Sequence, residues 1–305
     1  MKYIKEAKTF EQQADILLQR GLIVDREKLI TVLSQVNYYR LTTYLYTYRD
    51  VGDTFKCDTN LDQILRIIMF DHELRTLLLD IIEGIEILVR TRLAYFFSLK
   101  HGPFAWTDPA LFPNFDANYN DFERWQVKLA EQTNRARKYM SNEDTVVHFF
   151  KKYGDCHDHL PVWILTEIMD FGATLSFYRG VEKDIRKNVA LSFDQPEELV
   201  LSWLLGLNTI RNHCAHHSRL WNWQLGIPVK LPNARKYKEW NIPQLSNRQL
   251  GSILYICSWM SDKLVMKDYW HEKALNLFVD FEDLNLLHIG MPSCWKDHDI
   301  WKRRC

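Results

Sequence analysis

The sequence predicts an all-α protein, and three observations carry that prediction. Apolar residues recur at three- and four-residue steps along most of the chain. Helix-starting and helix-stopping residues bracket the periodic runs. Runs that alternate at period two, the mark of a half-buried strand, are scarce.

The elements follow in order. Residues 10–20 (FEQQADILLQR) make a first amphipathic run that stops at Gly21, where the chain is free to turn left-handed. Asp25 is placed to cap a second helix through Leu29, Val32, Leu33 and Val36. Residues 37–41 (NYYRL) lead an aromatic segment that ends near Tyr48, and residues 50–60 (DVGDTFKCDTN) are a turn-rich break. Residues 61–100 form one long helical pattern, or two helices end to end. Leu74, Leu77, Leu78, Ile81, Ile85, Leu88 and Val89 are its apolar stripe, and His101, Gly102 and Pro103 end it. Residues 107–120 read as a loop, residues 122–139 and 145–153 as two more helices.

Pro161 opens a helical stretch, WILTEIMDFGATLSFYRG, in which Gly172 marks a break or a close backbone approach. The next helix has the clearest start. Asp194 is its expected cap, Pro196 fits the first turn, and Glu197 and Glu198 favour the positive end of the helix dipole. It is expected to run to about Leu220, burying Leu199, Trp203, Leu207 and Ile210. Residues 222–247 read as a loop, residues 247–265 as the last core helix, and residues 266–305 show weak periodicity. No internal repeat is present. The expected organisation is an N-terminal helical region (1–60) packed on a helical core (61–265), with a C-terminal extension (266–305).

Composition narrows the function classes. Lys+Arg and Asp+Glu both total 39, so any phosphate-binding surface has to be a local patch rather than a bulk charge. The six cysteines form no C-x-x-C pair and point away from a disulfide framework. The start, MKYIKEAKTFEQQ, lacks the apolar core of a signal peptide, and no window approaches a membrane span. A cytoplasmic protein without membrane partners is expected.

The chemistry-bearing segment is residues 207–222, LNTIRNHCAHHSRLWN, where an apolar helix turns abruptly polar. On an ideal helix Asn212, His216 and Arg219 share one face, and His213 and His217 form a second pair. Arg211, however, lies about 140° around the axis from His216. Either the helix end is irregular, or two copies of the segment meet and share a site. A histidine, with an ordinary pKa of about 6.5, gives or takes a proton near neutrality. An arginine braces a phosphate through paired hydrogen bonds. With the 2′-hydroxyl of RNA as nucleophile, those groups suffice for transesterification.

The Arg-Asn-x-x-x-His spacing of Arg211, Asn212 and His216 resembles the motif of the HEPN superfamily (higher eukaryotes and prokaryotes nucleotide-binding). The fuller string RNHCAHHSRLWN resembles the Abi-like abortive-infection family, the AbiD/AbiF group of anti-phage proteins. TFEQQADILLQRGLIVD, VNYYRLTTYLYTYR, FDHELRTLLLDIIEGIEILVRTRLAYFFSLKHGP and LPVWILTEIMDFGATLSFYRG match that family in order, so the resemblance covers roughly residues 9–265. It implies a HEPN-like helical bundle and a metal-independent endoribonuclease toxin that needs no cofactor. Arg211 and His216 carry over as the catalytic pair, with Asn212 orienting them; His217 offers an alternative spacing, and the choice stays open. The resemblance also implies a homodimer with a composite site, RNA as substrate, and an antitoxin, RNA or protein, as partner. The alternative is a HEPN module that holds a regulatory RNA or a protein without cutting.

Other residues carry competing readings. His213 and Arg219 are supporting candidates. Arg66 and His72 form a second Arg-x5-His string, but with apolar filler between them. Glu83, Glu86 and Arg90 form a polar line on an apolar helix: a solvated i, i+4 pair, or support for the site. Tyr38, Tyr39 and Arg40 either pack or stack on bases. His213 and His217, with Cys156, His157 or His159, would make a metal-dependent hydrolase instead, although no acidic base accompanies them. Lys230, Arg235, Lys236 and Lys238 are weak RNA-binding candidates, as are the clusters at 135–138 and 302–304.

Overall fold

The computed structural model describes residues 6–116, 118, 120–139, 144–265 and 267–302. It is all-α: among the described residues β-pairing is confined to isolated bridges, such as Ile23 with Asn60. The predicted fold class holds. No described helix is long and apolar enough to cross a membrane.

Helices α1 (Phe10–Gln19) and α2 (Arg26–Gln35) pack on each other. Thr9 closes a capping box with Gln12, and Asp25 caps α2 as its position predicts. Helix α3 (Tyr38–Leu45) starts at Asn37 and continues into a 3₁₀ turn, Tyr46–Tyr48. Helix α4 (Leu61–His101) is one unbroken rod of 41 residues, about 60 Å long at 1.5 Å per residue. Its predicted stripe is buried apart from Leu88, which is half-buried. The other elements lie along this rod: α3, α7 (Val162–Ile168), α8 (Phe171–Gly180), α9 (Lys183–Leu191), α10 (Glu197–Ala215), α11 (Leu250–Ser261) and α12 (Lys267–Asp280) all pack on it. Helices α5 (Asp121–Tyr139) and α6 (Thr145–Tyr153) pack outside α7 and α8.

Several boundaries differ from expectation for local reasons. The stretch after Pro161 breaks at Met169 and Asp170, not at Gly172, because the Asp170 carboxylate caps the Ala173 N–H at 2.7 Å and starts α8. Asp194 does not cap α10. It lies in the left-handed region (φ 54) and its carboxylate pairs with Lys263, so α10 begins uncapped behind Pro196. Helix α9, with no prediction of its own, packs on α4 and α10. Helix α10 stops at Ala215 rather than Leu220.

The weakly periodic C-terminal stretch folds onto the rest. Trp270 of α12 donates to the Leu77 carbonyl on α4 at 3.0 Å, and Trp295 and Trp301 are buried. A Cβ at Gly251 would lie 2.0 Å from the Gly290 carbonyl oxygen, so only glycine admits this approach of the C-terminal strap to α11. One hydrophobic core joins residues from the first helix to the last aromatic.

Candidate active site

The motif occupies the end of α10 and the turn that follows. Up to Ala215 the backbone is helical; His216 closes the helix, and His217 adopts the left-handed conformation with φ 55. The His217 N–H returns to the Cys214 carbonyl at 2.9 Å and the Ser218 N–H to the His213 carbonyl at 3.0 Å. This is the pairing that glycine usually closes; a histidine in its place costs about 1 kcal/mol. The irregular helix end expected for the segment is observed. The ideal-helix faces therefore do not apply beyond Ala215: Arg219 does not continue the Asn212–His216 line, and His217 does not pair with His213.

The strained turn is held from below by one carboxylate. Asp71 of α4 is completely buried and takes four donors: the N–H groups of Leu220 (3.0 Å) and Trp221 (2.8 Å), the Tyr44 hydroxyl (2.7 Å) and the Arg75 guanidinium (2.8 Å). Burial and the Asp71 charge push the Tyr44 phenol well above its ordinary range, so it stays the proton donor. Arg75 also reaches the Ser218 carbonyl at 3.3 Å. Helix α3 grips the turn from the side. Arg40 donates to the His217 carbonyl at 2.8 Å, and Arg219 reaches back to the Thr43 carbonyl at 2.8 Å.

His213 is part of this frame. Its Nε2 lies 3.1 Å from the Arg219 carbonyl, which only accepts, so that nitrogen carries the proton. Its ring packs 4.5 Å from the Trp223 ring. The buried Cys214 thiol is pushed up to about 12 by desolvation and is no nucleophile. What the frame presents to solvent is Asn212, His216 and His217, all exposed, with Arg211 half-buried beside them. Among the described residues neither His216 nor His217 has a side-chain hydrogen-bond or ion-pair partner.

Arg211 faces a different wall. Its charge acts on Glu86 of α4 and Asp170 at the start of α8. Glu86 is buried and pairs with Arg90, which also binds the Met169 carbonyl. Burial raises the Glu86 carboxyl, Arg90 and Arg211 pull it back, and the net direction is upward. For Asp170 burial is again the largest influence, but the Lys128 hydrogen bond (2.7 Å), the Ala173 N–H and the charges of Lys128 and Arg211 bring it below the ordinary carboxylate value. The polar line on α4 is thus split. Glu86 and Arg90 join the motif as a buried pair, not the solvated pair of the simpler reading. Glu83 is exposed and lines an apolar groove of about 400 Å³ with Gly84, Leu264 and Trp270. Neither this groove nor the one of about 520 Å³ between Arg66, Lys273 and Phe281 includes a motif residue.

The remaining candidates lie elsewhere. Arg66 is engaged by Asp283 (2.9 Å), the Asp280 carbonyl and the Phe281 ring, while His72 is exposed. Lys230 is fixed to the start of α10 by Ser202 and Trp203, roughly 20 Å along the helix from His216. Arg235, Lys236 and Lys238 are exposed on the same loop. Arg135, Arg137 and Lys138 belong to α5; Lys302 pairs with Asp299, and Arg303 and Arg304 lie outside the described residues. His157 stacks on Phe104, and His159 meets Trp106 edge-on. Among the described residues no three His, Cys, Asp or Glu side chains are grouped to hold a metal.

The description "Abi-like protein" names the family that matches residues 31–222, from within α2 to just past the histidine turn. The chain belongs to the Abi-like protein family. That membership implies a role in abortive infection. The matched segment takes in α3, α4 and the motif, the three elements that meet at the turn. No curated protein and no solved structure matches the chain.

Sequence reasoning missed Asp71, Arg75 and Asp170. A signal for the first two was present: Asp71, Leu74, Arg75 and Leu78 fall at i, i+3, i+4 and i+7, which puts an opposite-charge pair on the buried stripe.

Proposed function

We propose that this Abi-like protein is a metal-independent endoribonuclease of the HEPN type, the toxin of an abortive-infection or toxin–antitoxin system. One observation carries the reading. Among the described residues the exposed His216 and His217 side chains have no hydrogen-bond or ion-pair partner, yet the backbone of their turn is anchored by Asp71, Arg75 and Arg40, while Asn212 accepts from Arg211 at 3.5 Å. A strained, braced turn that displays free imidazoles beside an arginine suits proton transfer better than packing.

The chemistry follows from these groups. One histidine takes the proton of an RNA 2′-hydroxyl, whose oxygen attacks the adjacent phosphorus. Arg211 offsets the charge that develops on the phosphoryl oxygens. A second imidazole returns a proton to the departing 5′-oxygen, leaving a 2′,3′-cyclic phosphate and a 5′-hydroxyl. We place the acceptor and the donor on two chains, His216 from each, with the turns of a homodimer facing one another. The exposure of the turn leaves room for such a partner. An antitoxin, RNA or protein, would act by covering this surface.

Purified protein incubated with total RNA in excess chelator tests the reading. Cyclic-phosphate ends that disappear in Arg211→Ala support it. Intact RNA, or 5′-phosphate ends that require a divalent ion, would overturn it. Mixed dimers of wild type and Arg211→Ala that keep full activity per wild-type chain would overturn the two-chain site alone.

A further inference from the structure

Helix α3 does more than brace the turn. Tyr39, Thr43 and Tyr46 fall at i, i+4 and i+7, so they share one face. Both tyrosines are well exposed, at 63% and 65%. They stand about 10 Å apart along the helix. Between them, the Thr43 carbonyl holds the guanidinium of Arg219. One residue round the helix from Tyr39, Arg40 holds the His217 carbonyl.

The charge balance of this face is one-sided. Arg40 and Arg219 bond only to backbone carbonyls, and among the described residues neither has a carboxylate within ion-pair distance. Their charges are oriented but not neutralised. Arg49, 5.6 Å from the centre of the Tyr46 ring, shares Asp53 with Arg20 and adds less. A docking protein would have to bury two uncompensated guanidiniums. A single-stranded RNA instead offers phosphates to the arginines and splayed bases to the rings.

We propose that this face of α3 is a single-stranded RNA track leading to the histidine turn, with Tyr39 and Tyr46 stacking bases and Arg219 and Arg40 holding the phosphates between and beside them. The inference rests on the ribonuclease reading for its direction but makes a separate prediction about binding. It also gives the aromatic–basic segment at 38–40 two distinct tasks: Tyr38, half-buried and edge-on to Tyr39 at 5.6 Å, packs, while Tyr39 and Arg40 face the ligand.

The test uses full-length His216→Ala protein, so that bound RNA is not cut. The probe is a fluorescein-labelled, unstructured oligoribonucleotide of about 12 nucleotides, followed by anisotropy. Adding Tyr39→Ala and Tyr46→Ala together should weaken binding at least about tenfold, while the Tyr→Phe pair should bind like the parent. Arg219→Ala should lower the salt slope by about one phosphate contact. Both tyrosines are exposed, so the variants should fold, and circular dichroism checks this. Unchanged affinity in the double alanine variant overturns the track. If wild type cuts no RNA but the alanine pair still loses binding, the ribonuclease reading falls and the track stands. If wild type cuts and the alanine pair binds as tightly as its His216→Ala parent, the track falls alone.

Discussion

Arg211 sits on a regular helical turn, its charge acting on the carboxylates of Glu86 and Asp170; His216 and His217, a few residues on, form a turn whose backbone is held by guanidiniums at His217 and Ser218. The first setting is electrostatic. Glu86 and Asp170 lie within the field of Arg211, which pulls both carboxyls down without a close ion pair among the described contacts. The second is mechanical. Four donors converge on Asp71, and Arg40 and Arg75 hold the carbonyls of His217 and Ser218. The contrast teaches that a motif of six or seven residues need not be one rigid unit. Its arginine acts on two carboxylates through its charge and its histidines are placed by backbone anchoring, so substitutions at the two ends should fail in different ways.

The largest expected effect breaks the mechanical end. Asp71→Ala leaves the Arg75 charge buried and two N–H groups without acceptors, and should cost about 3–5 kcal/mol in chemical denaturation. A loss below about 1 kcal/mol would mean that the turn does not depend on this carboxylate. Next in size, Arg211→Ala and His216→Ala should each lower RNA cleavage by about 10²–10³-fold with little change in stability. If Arg211→Ala instead unfolds the protein, the arginine is structural and the contrast between the two ends disappears.

A smaller effect separates the two histidines. His217→Gly removes the left-handed strain and should stabilise the protein by about 1 kcal/mol in thermal or chemical unfolding. Cleavage that survives in this variant assigns the chemistry to His216; cleavage that vanishes while stability rises assigns it to His217. The smallest effect belongs to the electrostatic end. The Glu86 carboxyl is raised in the folded state, chiefly by burial, so the fold favours its protonated form. Its contribution to stability is full below the ordinary glutamate value and is lost as the pH rises through the folded value. Glu86→Gln keeps the shape without the charge. It should gain less than about 1 kcal/mol near pH 7, and that gain should shrink toward pH 4. A variant that is less stable near neutrality would show that the Arg90 and Arg211 charges outweigh burial.

The sequence by itself determined the helical class, the cap at Asp25, the stop at Gly102, the stripe on α4, and the motif's location near the end of α10. These are readable because they depend on neighbours within one or two turns: periodicity, a side chain that reaches its own helix end, a glycine past the last turn. It also placed Arg211, Asn212 and His216 together by family resemblance. Only the tertiary structure decided how those residues are presented. The left-handed turn at His217 carries no local signal, because that position usually asks for glycine. Its anchors come from far away, with Asp71 149 residues from Leu220 and Arg40 177 residues from His217. Glu86 likewise changes from a surface charge to a buried partner of Arg90 once α4 packs against α7, α8 and α10. A buried charge reveals its role only when the group that compensates it is known, and that group is chosen by which helices meet rather than by its neighbours in the chain.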